Sequence, residues 1–240
     1  MNLAIIGAGE SSRLKEEGLN VPKHLITING EYLIDRIIRI GYENGFQKVY
    51  CIINTKEKEL QKHLLEENFK IPVELIVKDT ESSMHSLFVL SPFLLNESFC
   101  LATTDSIFLE NEFSGFIKYS SSLEDVNGVL AVTQFIDDEK PLCAALDEQN
   151  MILNFSDDKN GYNWVTGGLY YFSPLIFNEM QTALQNDIIR LRNFLRLLIK
   201  QNYKLKAFPF SKIIDVDHVS DIEKAEDFLV NNSSYLKEKK

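Results

Sequence analysis

Short apolar segments alternate with amphipathic ones, and this alternation restricts the possible folds more than any other feature. Leu3 to Ile6 is a continuous apolar run, typical of a strand buried on both faces of a sheet. Tyr32 to Tyr42 carries apolar residues at helical spacing, and Gly45 follows as a terminator. The pattern then repeats as strand, helix and strand in Lys48 to Asn54, Glu57 to Glu67 and Val73 to Val77. This βαβαβ order predicts a mostly parallel sheet with right-handed crossovers.

Further along the chain the pattern continues and then changes. We predict a helix from Ser83 to Leu95 and a strand from Phe99 to Thr103, followed by a helix from Phe113 to Tyr119. Beyond Asn127 and Gly128 the strands become more antiparallel in character, and two helices, a strand and a last helix follow. The predicted strands and helix of this second part include Val129 to Phe135, Leu142 to Leu146, Met151 to Phe155, Gly167 to Phe172, Asp187 to Gln201 and Leu205 to Phe210.

A small-residue loop follows the first predicted strand. It reads Gly7-Ala8-Gly9-Glu10-Ser11-Ser12-Arg13-Leu14, and Pro22-Lys23-His24-Leu25 follows after a gap. Backbone N–H groups in such a loop favour phosphate, and arginine and lysine add positive charge. A dinucleotide-binding fingerprint is excluded because Ser12 occupies the position of its third glycine. A phosphate-loop ATPase is excluded because Gly-Lys-Ser and Gly-Lys-Thr are absent from the sequence.

The overall negative charge of the chain restricts the kinds of molecule that it can bind. The formal net charge of −10 disfavours nucleic acid and an anionic membrane surface, so positive charge for an anionic ligand must be local or come from a metal ion. We see neither a basic-then-apolar leader nor an apolar run of membrane-spanning length, and we therefore predict a cytoplasmic protein.

Together, the loop and the later lysine form the pattern G-x-G-x-S-x-R-L…P-K-x-L, which resembles the signature of the nucleotidyltransferase superfamily that includes sugar-1-phosphate nucleotidylyltransferases. The matching positions are Gly9, Arg13, Leu14, Pro22, Lys23 and Leu25. The resemblance, with the segment order above, implies an α/β fold: a Rossmann-like three-layer sandwich with a mixed, mostly parallel central sheet and a small acceptor-binding β and helical subregion. Ser11 departs from this signature, since sugar nucleotidylyltransferases usually carry glycine there and relatives acting on molybdopterin carry serine.

The resemblance also implies roles for individual residues. The loop would wrap the triphosphate of an NTP through Ala8, Gly9, Glu10, Ser11, Ser12 and Arg13. Arg13 would hold the outer phosphates, and Lys23 would neutralise charge at the reacting phosphorus, so both are candidate catalytic residues. Ser83 lies where the family has a turn into a helix that contacts the base, and it is our further candidate for nucleotide binding.

Two aspartates are predicted to hold Mg²⁺. Asp105 follows the predicted strand Phe99 to Thr103, where the family carries a metal-binding aspartate after a glycine; here Thr104 replaces that glycine. Asp217 matches the aspartate of a closing family motif, and Asp215 is the alternative, because side chains two residues apart in a strand share a face. One or two carboxylates, with phosphate oxygens and water, suffice for Mg²⁺.

Acceptor-binding residues are predicted in the second half of the chain. The segment Trp164 to Tyr171 resembles the strand that lines the family's sugar pocket, where small residues allow close approach. Thr166 and Gly167 are its candidate contacts, and Lys212 is a candidate phosphate contact. Where the family often has a glutamate–lysine pair, this chain has Asp158 and Lys159.

These features predict a Mg²⁺-dependent nucleotidyltransferase that joins an NTP and a phosphorylated small molecule, foremost a sugar 1-phosphate, releasing pyrophosphate. Alternatives are a phosphocholine cytidylyltransferase-like enzyme, a non-catalytic nucleotide-binding regulatory protein of the same fold, and a glycosyltransferase that holds its metal through Asp-x-Asp. We predict one domain over residues 1–230, with a nucleotide-binding half (1–125), an acceptor-binding half (126–230) and a polar tail (231–240). The predicted partners are the NTP and the acceptor, without nucleic acid or membrane, in a monomer or homodimer.

Overall fold

The structure, a computed structural model, describes residues 1–7, 12–137 and 140–237. Its strands are β1 (Asn2–Gly7), β2 (Thr27–Ile28), β3 (Glu31–Tyr32), β4 (Val49–Ile53), β5 (Val73–Val77), β6 (Phe99–Thr103), β7 (Ser106–Ile107), β8 (Gly128–Thr133), β9 (Cys143–Leu146), β10 (Ile152–Ser156), β11 (Trp164–Phe172), β12 (Leu205–Phe210) and β13 (Ile214–Asp215). Its α-helices are α1 (Ser12–Glu16), α2 (Leu33–Glu43), α3 (Lys58–Glu66), α4 (Ser83–Leu90), α5 (Glu110–Ser122), α6 (Met180–Gln185), α7 (Leu191–Lys200) and α8 (Val219–Lys237). Short 3-10 turns lie at Lys23–Leu25, Ser91–Phe93 and Pro174–Glu179.

One large sheet runs through both halves of the chain. Its main row is β12-β8-β11-β6-β1-β4-β5, and β9 and β10 extend it beside the first part of β11. In this row β11 is antiparallel to both of its neighbours, while all the other pairs are parallel. The prediction of a mixed, mostly parallel sheet is therefore confirmed.

Alternate residues of the central strand β1 enter two different cores. Leu3 and Ile5 pack with α2, α3 and α5, whereas Ala4 and Ile6 pack with α4, α6 and α7. Side chains alternate across a strand, so a strand that is apolar at every position needs helices on both faces of its sheet. The predicted α/β architecture with helices on either side of the sheet is thereby confirmed.

Most predicted elements occur within a few residues of their expected bounds, and β5, β6 and β12 match them. The helix predicted from Ser83 to Leu95 is an exception, because α4 ends at Leu90 and a 3-10 turn containing Pro92 follows. Proline lacks the backbone N–H that would continue the helical hydrogen-bond ladder. The helix expected to begin at Asp187 starts instead at Leu191, since Asp187 has a left-handed φ of 52° and Arg190 is extended.

Two small two-stranded sheets lie apart from the large one and were not predicted. β2 pairs with β3, and β7 pairs with β13, both antiparallel. A third apolar cluster, which includes Leu14, Ile107, Ile214, Val216 and Ala225, packs beneath them. This cluster joins α1, β7, β13 and α8 into one structure. Among the helices that the structure describes, none has the length and apolar character needed to span a membrane.

Candidate active site

Most of the predicted nucleotide and metal residues follow strands that end at the same edge of the large sheet. β1 and β6 are adjacent and parallel, with Ile6 opposite Thr103, so the segments after them leave the sheet side by side. Parallel sheets bind ligands at this carboxyl edge. The predicted phosphate-binding residues Ala8, Gly9, Glu10 and Ser11 lie outside the described residues, and Ser12 is the first residue of α1.

Lys23 joins the residues predicted from three separate motifs. Its Nζ donates hydrogen bonds to Oδ2 of Asp105 and to Oδ1 of Asp217, each at 2.6 Å, and its side chain is only 11% exposed. Burial disfavours the charged ammonium, but the two carboxylates outweigh this effect and raise the pKa of Lys23 above its ordinary value. Burial also opposes ionisation of Asp105, yet Lys23 holds the pKa of this carboxyl below its usual range. Lys23 and Asp105 are therefore both charged at neutral pH.

Asp217 and Asp215 have different contacts. Asp215 lies opposite Ser106 in the β7–β13 pair, and Ser106 Oγ donates to its Oδ1 at 2.9 Å. The N–H of Val216 donates to the carbonyl oxygen of Asp105 at 3.0 Å, which brings the next side chain, Asp217, to Asp105 and to Lys23. Burial and the charge of Asp105 raise the pKa of Asp215 above its usual range. Asp217 is thus the aspartate that faces Lys23.

Two ion pairs connect the beginning of the chain to the beginning of α8. Nη1 of Arg13 donates to Oδ2 of Asp217 at 3.0 Å, and Oε1 of Glu17 lies 2.5 Å from Nδ1 of His218. The second oxygen of Glu17 accepts the N–H of Val219 at 2.7 Å. The hydrogen bond between Glu17 and His218 raises the pKa of the histidine and lowers the pKa of the glutamate. Sequence analysis missed Glu17, because a single glutamate in a charged segment forms no distinguishing pattern.

A cavity of about 180 Å³ adjoins the pair formed by Arg13 and Asp217, and both residues line it. Thr166 and Gly167, two of the predicted acceptor contacts, also line this cavity. Further polar lining comes from hydroxyl groups and an ion pair: Thr133, Ser220, Asp137 and Lys224. Arg13 and Asp217 therefore line the same cavity as the strand that is predicted to contact the acceptor.

Gly167 and Lys212 each have a close contact within this chain that the sequence did not indicate. A Cβ added at Gly167 would lie 2.2 Å from Cδ1 of Ile213, so the missing side chain makes room for an isoleucine of this chain. Lys212 is not among the described residues that line the cavity. Its Nζ lies 4.0 Å from the ring centroid of Phe135 and 5.5 Å from that of Phe228, which are cation–π distances. The predicted phosphate contact of Lys212 stays a prediction.

Ser83 opens α4, which packs on β1 and β4 near the same edge of the sheet. The preceding Ser82 donates a hydrogen bond from its hydroxyl to the carbonyl oxygen of Ile189, just before α7. Ser83 itself is not among the described lining residues of the cavity next to Arg13. Its predicted contact with a base stays a prediction.

His24 and Thr104 form a buried contact that sequence analysis did not anticipate. Nδ1 of His24 lies 2.5 Å from Oγ1 of Thr104, and each residue is 4% exposed. Burial lowers the pKa of His24 to about 4, so the ring is neutral at neutral pH. Thr104 was noted in the sequence only as a departure from the family's glycine. That departure was the one available signal of the contact.

Comparison with known proteins decides the family. The family model described as nucleotidyl transferase matches residues 3–232, which is nearly the whole chain. The chain belongs to the nucleotidyl transferase family. The predicted family and enzyme class, a nucleotidyltransferase, are thereby confirmed.

Several curated relatives and solved structures are similar along most of the chain. It is 25% identical over 239 residues to a D-glycero-alpha-D-manno-heptose 1-phosphate guanylyltransferase of Campylobacter jejuni, covering 97% of this chain and 100% of that protein. It is 22% identical to the bifunctional protein GlmU of Methanococcus aeolicus, covering 99% of this chain but 55% of the relative.

Two solved structures share the fold. The inositol-1-phosphate CTP transferase of T. maritima superposes with a TM-score of 0.79 at 18% identity, covering 95% of this chain and 97% of that one. A putative glucose-1-phosphate thymidylyltransferase of Bacillus anthracis gives a TM-score of 0.83 at 14% identity, with 95% and 94% covered. The predicted α/β fold therefore agrees with solved nucleotidyltransferases.

Proposed function

We propose that this nucleotidyltransferase transfers a nucleotidyl group from an NTP to the phosphate of a sugar 1-phosphate, in a reaction that depends on Mg²⁺. The products are an NDP-sugar and pyrophosphate. One observation carries the proposal: Lys23 Nζ lies 2.6 Å from the carboxylates of both Asp105 and Asp217, beside a cavity large enough for part of a small acceptor.

The reaction brings two anions together, which is why it needs fixed positive charge. An oxygen of the acceptor phosphate attacks the α-phosphorus, the bond from that phosphorus to the oxygen leading to the β-phosphorus breaks, and pyrophosphate leaves. In the proposal Lys23 neutralises charge at the reacting phosphate, and Arg13 binds outer phosphate oxygens with its planar guanidinium. The raised pKa of Lys23 supports its role, because the residue stays charged through the neutral range.

The residues at the site fit a Mg²⁺ ion. The carboxylates of Asp105 and Asp217 already converge on one cationic atom, Lys23 Nζ, and hard carboxylate oxygens are what Mg²⁺ prefers. Among the described residues, no group of three or more His, Cys, Asp or Glu side chains is placed to hold a metal by itself. Asp105 and Asp217 would therefore hold the ion together with phosphate oxygens and water. When bound, Mg²⁺ supplies Lewis-acid stabilisation of phosphate charge.

The lining of the cavity favours a polyhydroxylated acceptor over phosphocholine. Thr133, Thr166 and Ser220 present hydroxyl groups, and Lys224 pairs with Asp137 at 2.8 Å, so the wall offers both donors and acceptors. Recognition of a quaternary ammonium uses a cage of several aromatic rings. Phe135 is the one Phe, Tyr or Trp side chain among the lining residues that the structure describes, and Lys212 already lies over it.

The names of the relatives support the same class of acceptor. Three of the four proteins compared above have names that refer to heptose 1-phosphate, inositol 1-phosphate or glucose 1-phosphate, all polyhydroxylated rings bearing one phosphate. The nucleotides in those names differ, so the test below varies the base as well as the acceptor.

The test measures pyrophosphate release by purified protein with Mg²⁺, for each common NTP paired with a panel of sugar 1-phosphates, inositol 1-phosphate and phosphocholine. We expect release with at least one NTP and sugar phosphate pair, and abolition of the signal by EDTA. Lys23→Met should remove the signal, and Lys15→Met is the matched control because Lys15 is exposed and is not among the described residues that line the cavity. Release with phosphocholine alone would contradict the acceptor class, and no release with any pair would contradict the transfer reaction.

A further inference from the structure

We propose that the hydrogen bond between His24 and Thr104 sets the position of Lys23 relative to Asp105, which makes His24 and Thr104 positioning residues. The inference rests on the proposed function, in which Lys23 and Asp105 act on the same phosphates. His24 directly follows Lys23, and Thr104 directly precedes Asp105. The contact therefore joins two backbone segments at the residues next to the ion pair.

The segment that carries Lys23 has little internal support. It is a three-residue 3-10 turn, Lys23–Leu25, in which Leu25 N–H donates to Pro22 and Ile26 N–H donates to Lys23. Short 3-10 turns have poor hydrogen-bond geometry, so tertiary contacts must determine where such a turn sits. The buried ring of His24 provides such a tertiary contact through Thr104, the residue before Asp105.

The same ring also contacts the end of β1. A Cβ added at Gly7 would lie 3.5 Å from both Cε1 and Nε2 of His24, so the imidazole packs against the backbone of Gly7. Gly7 ends β1 and Thr104 follows β6, and these strands are neighbours in the sheet. His24 is therefore placed against the two strand ends from which the triphosphate loop and the metal-site aspartate continue.

The chemical state of the ring suits positioning rather than proton transfer. Nδ1 of His24 meets the Thr104 hydroxyl, and the ring also interacts with the backbone of Gly7. An imidazolium in this place would add a second positive charge directly beside Lys23. Burial keeps His24 neutral, so the ring can anchor the turn without competing with the lysine for the carboxylates.

This contact explains the departure at Thr104. The glycine that the family pattern has before the metal-site aspartate carries no side chain and could not bond to His24. In this chain a threonine hydroxyl and a histidine ring occur together, although they are separated by 80 positions in the sequence.

The decisive comparison is Thr104→Val against Thr104→Ser. Valine keeps the shape and removes the hydroxyl, whereas serine keeps the hydroxyl. With the NTP and acceptor found active above, we expect Thr104→Val to lower kcat about ten-fold or more while the KM for NTP changes less than about two-fold. Thr104→Ser should retain near-normal kcat. Thermal melts identify any loss of folded protein, and kcat is corrected for it.

A second measurement works without turnover. The acylation rate of Lys23 by an amine reagent is measured by mass spectrometry and normalised to Lys62, whose side chain is 72% exposed. We expect several-fold faster acylation of Lys23 in Thr104→Val than in wild type, and the wild-type rate in Thr104→Ser. Equal Lys23 reactivity in the valine and serine variants would overturn the inference, as would equal kcat. If wild-type protein releases no pyrophosphate, the proposed function fails, and the acylation rates alone decide the positioning role.

Discussion

Replacing His24 with Asn should remove a specific pH dependence from the free energy of unfolding. The ring is buried, and burial lowers its pKa from an ordinary value of 6.5 to about 4. The unfolded chain therefore binds this proton more tightly than the folded chain does. The contribution of His24 to the free energy of unfolding is therefore complete above pH 6.5, and it is lost as the pH falls towards 4. Asparagine has no titratable group, and its side-chain amide still offers hydrogen bonds near Thr104.

The size of the effect follows from proton linkage. Between pH 7 and pH 5 the histidine of the unfolded chain becomes almost fully protonated, whereas the folded ring stays mostly neutral. Linkage then gives a loss of about 2 kcal/mol in the free energy of unfolding over this interval. The same loss is absent in His24→Asn. The stability difference between wild type and variant should therefore shrink by about 2 kcal/mol on acidification.

Urea unfolding of wild type and variant at both pH values, with EDTA present, measures this difference. Other titrating groups are common to both proteins and cancel. His218→Asn is the control with the opposite sign, because Glu17 raises the pKa of His218 and its stabilising effect is present below the unfolded pKa and lost as the pH rises. A wild-type to His24→Asn difference that is the same at pH 7 and pH 5 would refute the reasoning that a neutral, buried imidazole occupies this position.

Three further predictions concern the site and its supporting strand. Lys23→Met should lower kcat at least about 100-fold with normal folding by circular dichroism, because a preorganised charge is lost where two anions react. Asp217→Asn should raise the Mg²⁺ concentration needed for half-maximal pyrophosphate release, whereas Asp215→Asn should raise it less, since Asp217 faces Lys23 and Asp215 is bonded to Ser106. Gly167→Ala should lower the free energy of urea unfolding by about 1–3 kcal/mol through overpacking against Ile213, and adding Ile213→Val, which removes the closest atom, should restore part of it.

The parts of the fold that could be predicted were those whose pattern is local and long. β5, β6 and β12 are runs of five or six residues, and their bounds matched the expectation. β7 and β13 are two residues each, too short to show a period, so their pairing could not be predicted. This pairing nevertheless brings Asp217 to Lys23. The residues at the site could be named from motifs, but the strand pair that assembles them could not.

The surroundings of Lys212 could not be predicted from its place in the sequence. Lys212 lies shortly before Asp215 and Asp217, and a lysine next to aspartates that are predicted to hold a metal suggests phosphate binding. In the structure the side chain lies over Phe135 and Phe228, one from the segment after β8 and one from α8. Aromatic faces attract an ammonium group, and no local pattern around Lys212 indicates that two rings from distant segments converge on it.

A residue that departs from a family pattern can be interpreted only together with its partner in space. Thr104 in place of glycine, considered alone, suggests a weakened metal motif and hence a loss of catalysis. In the structure its hydroxyl meets His24, the residue after the lysine that binds Asp105, so the substitution adds a connection between the two motifs. His24, at the variable position of P-K-x-L, and Thr104, directly before Asp105, are therefore in contact in this chain. A loss of catalysis on Thr104→Val with retention in Thr104→Ser would mean that the departure supports the site rather than weakening it.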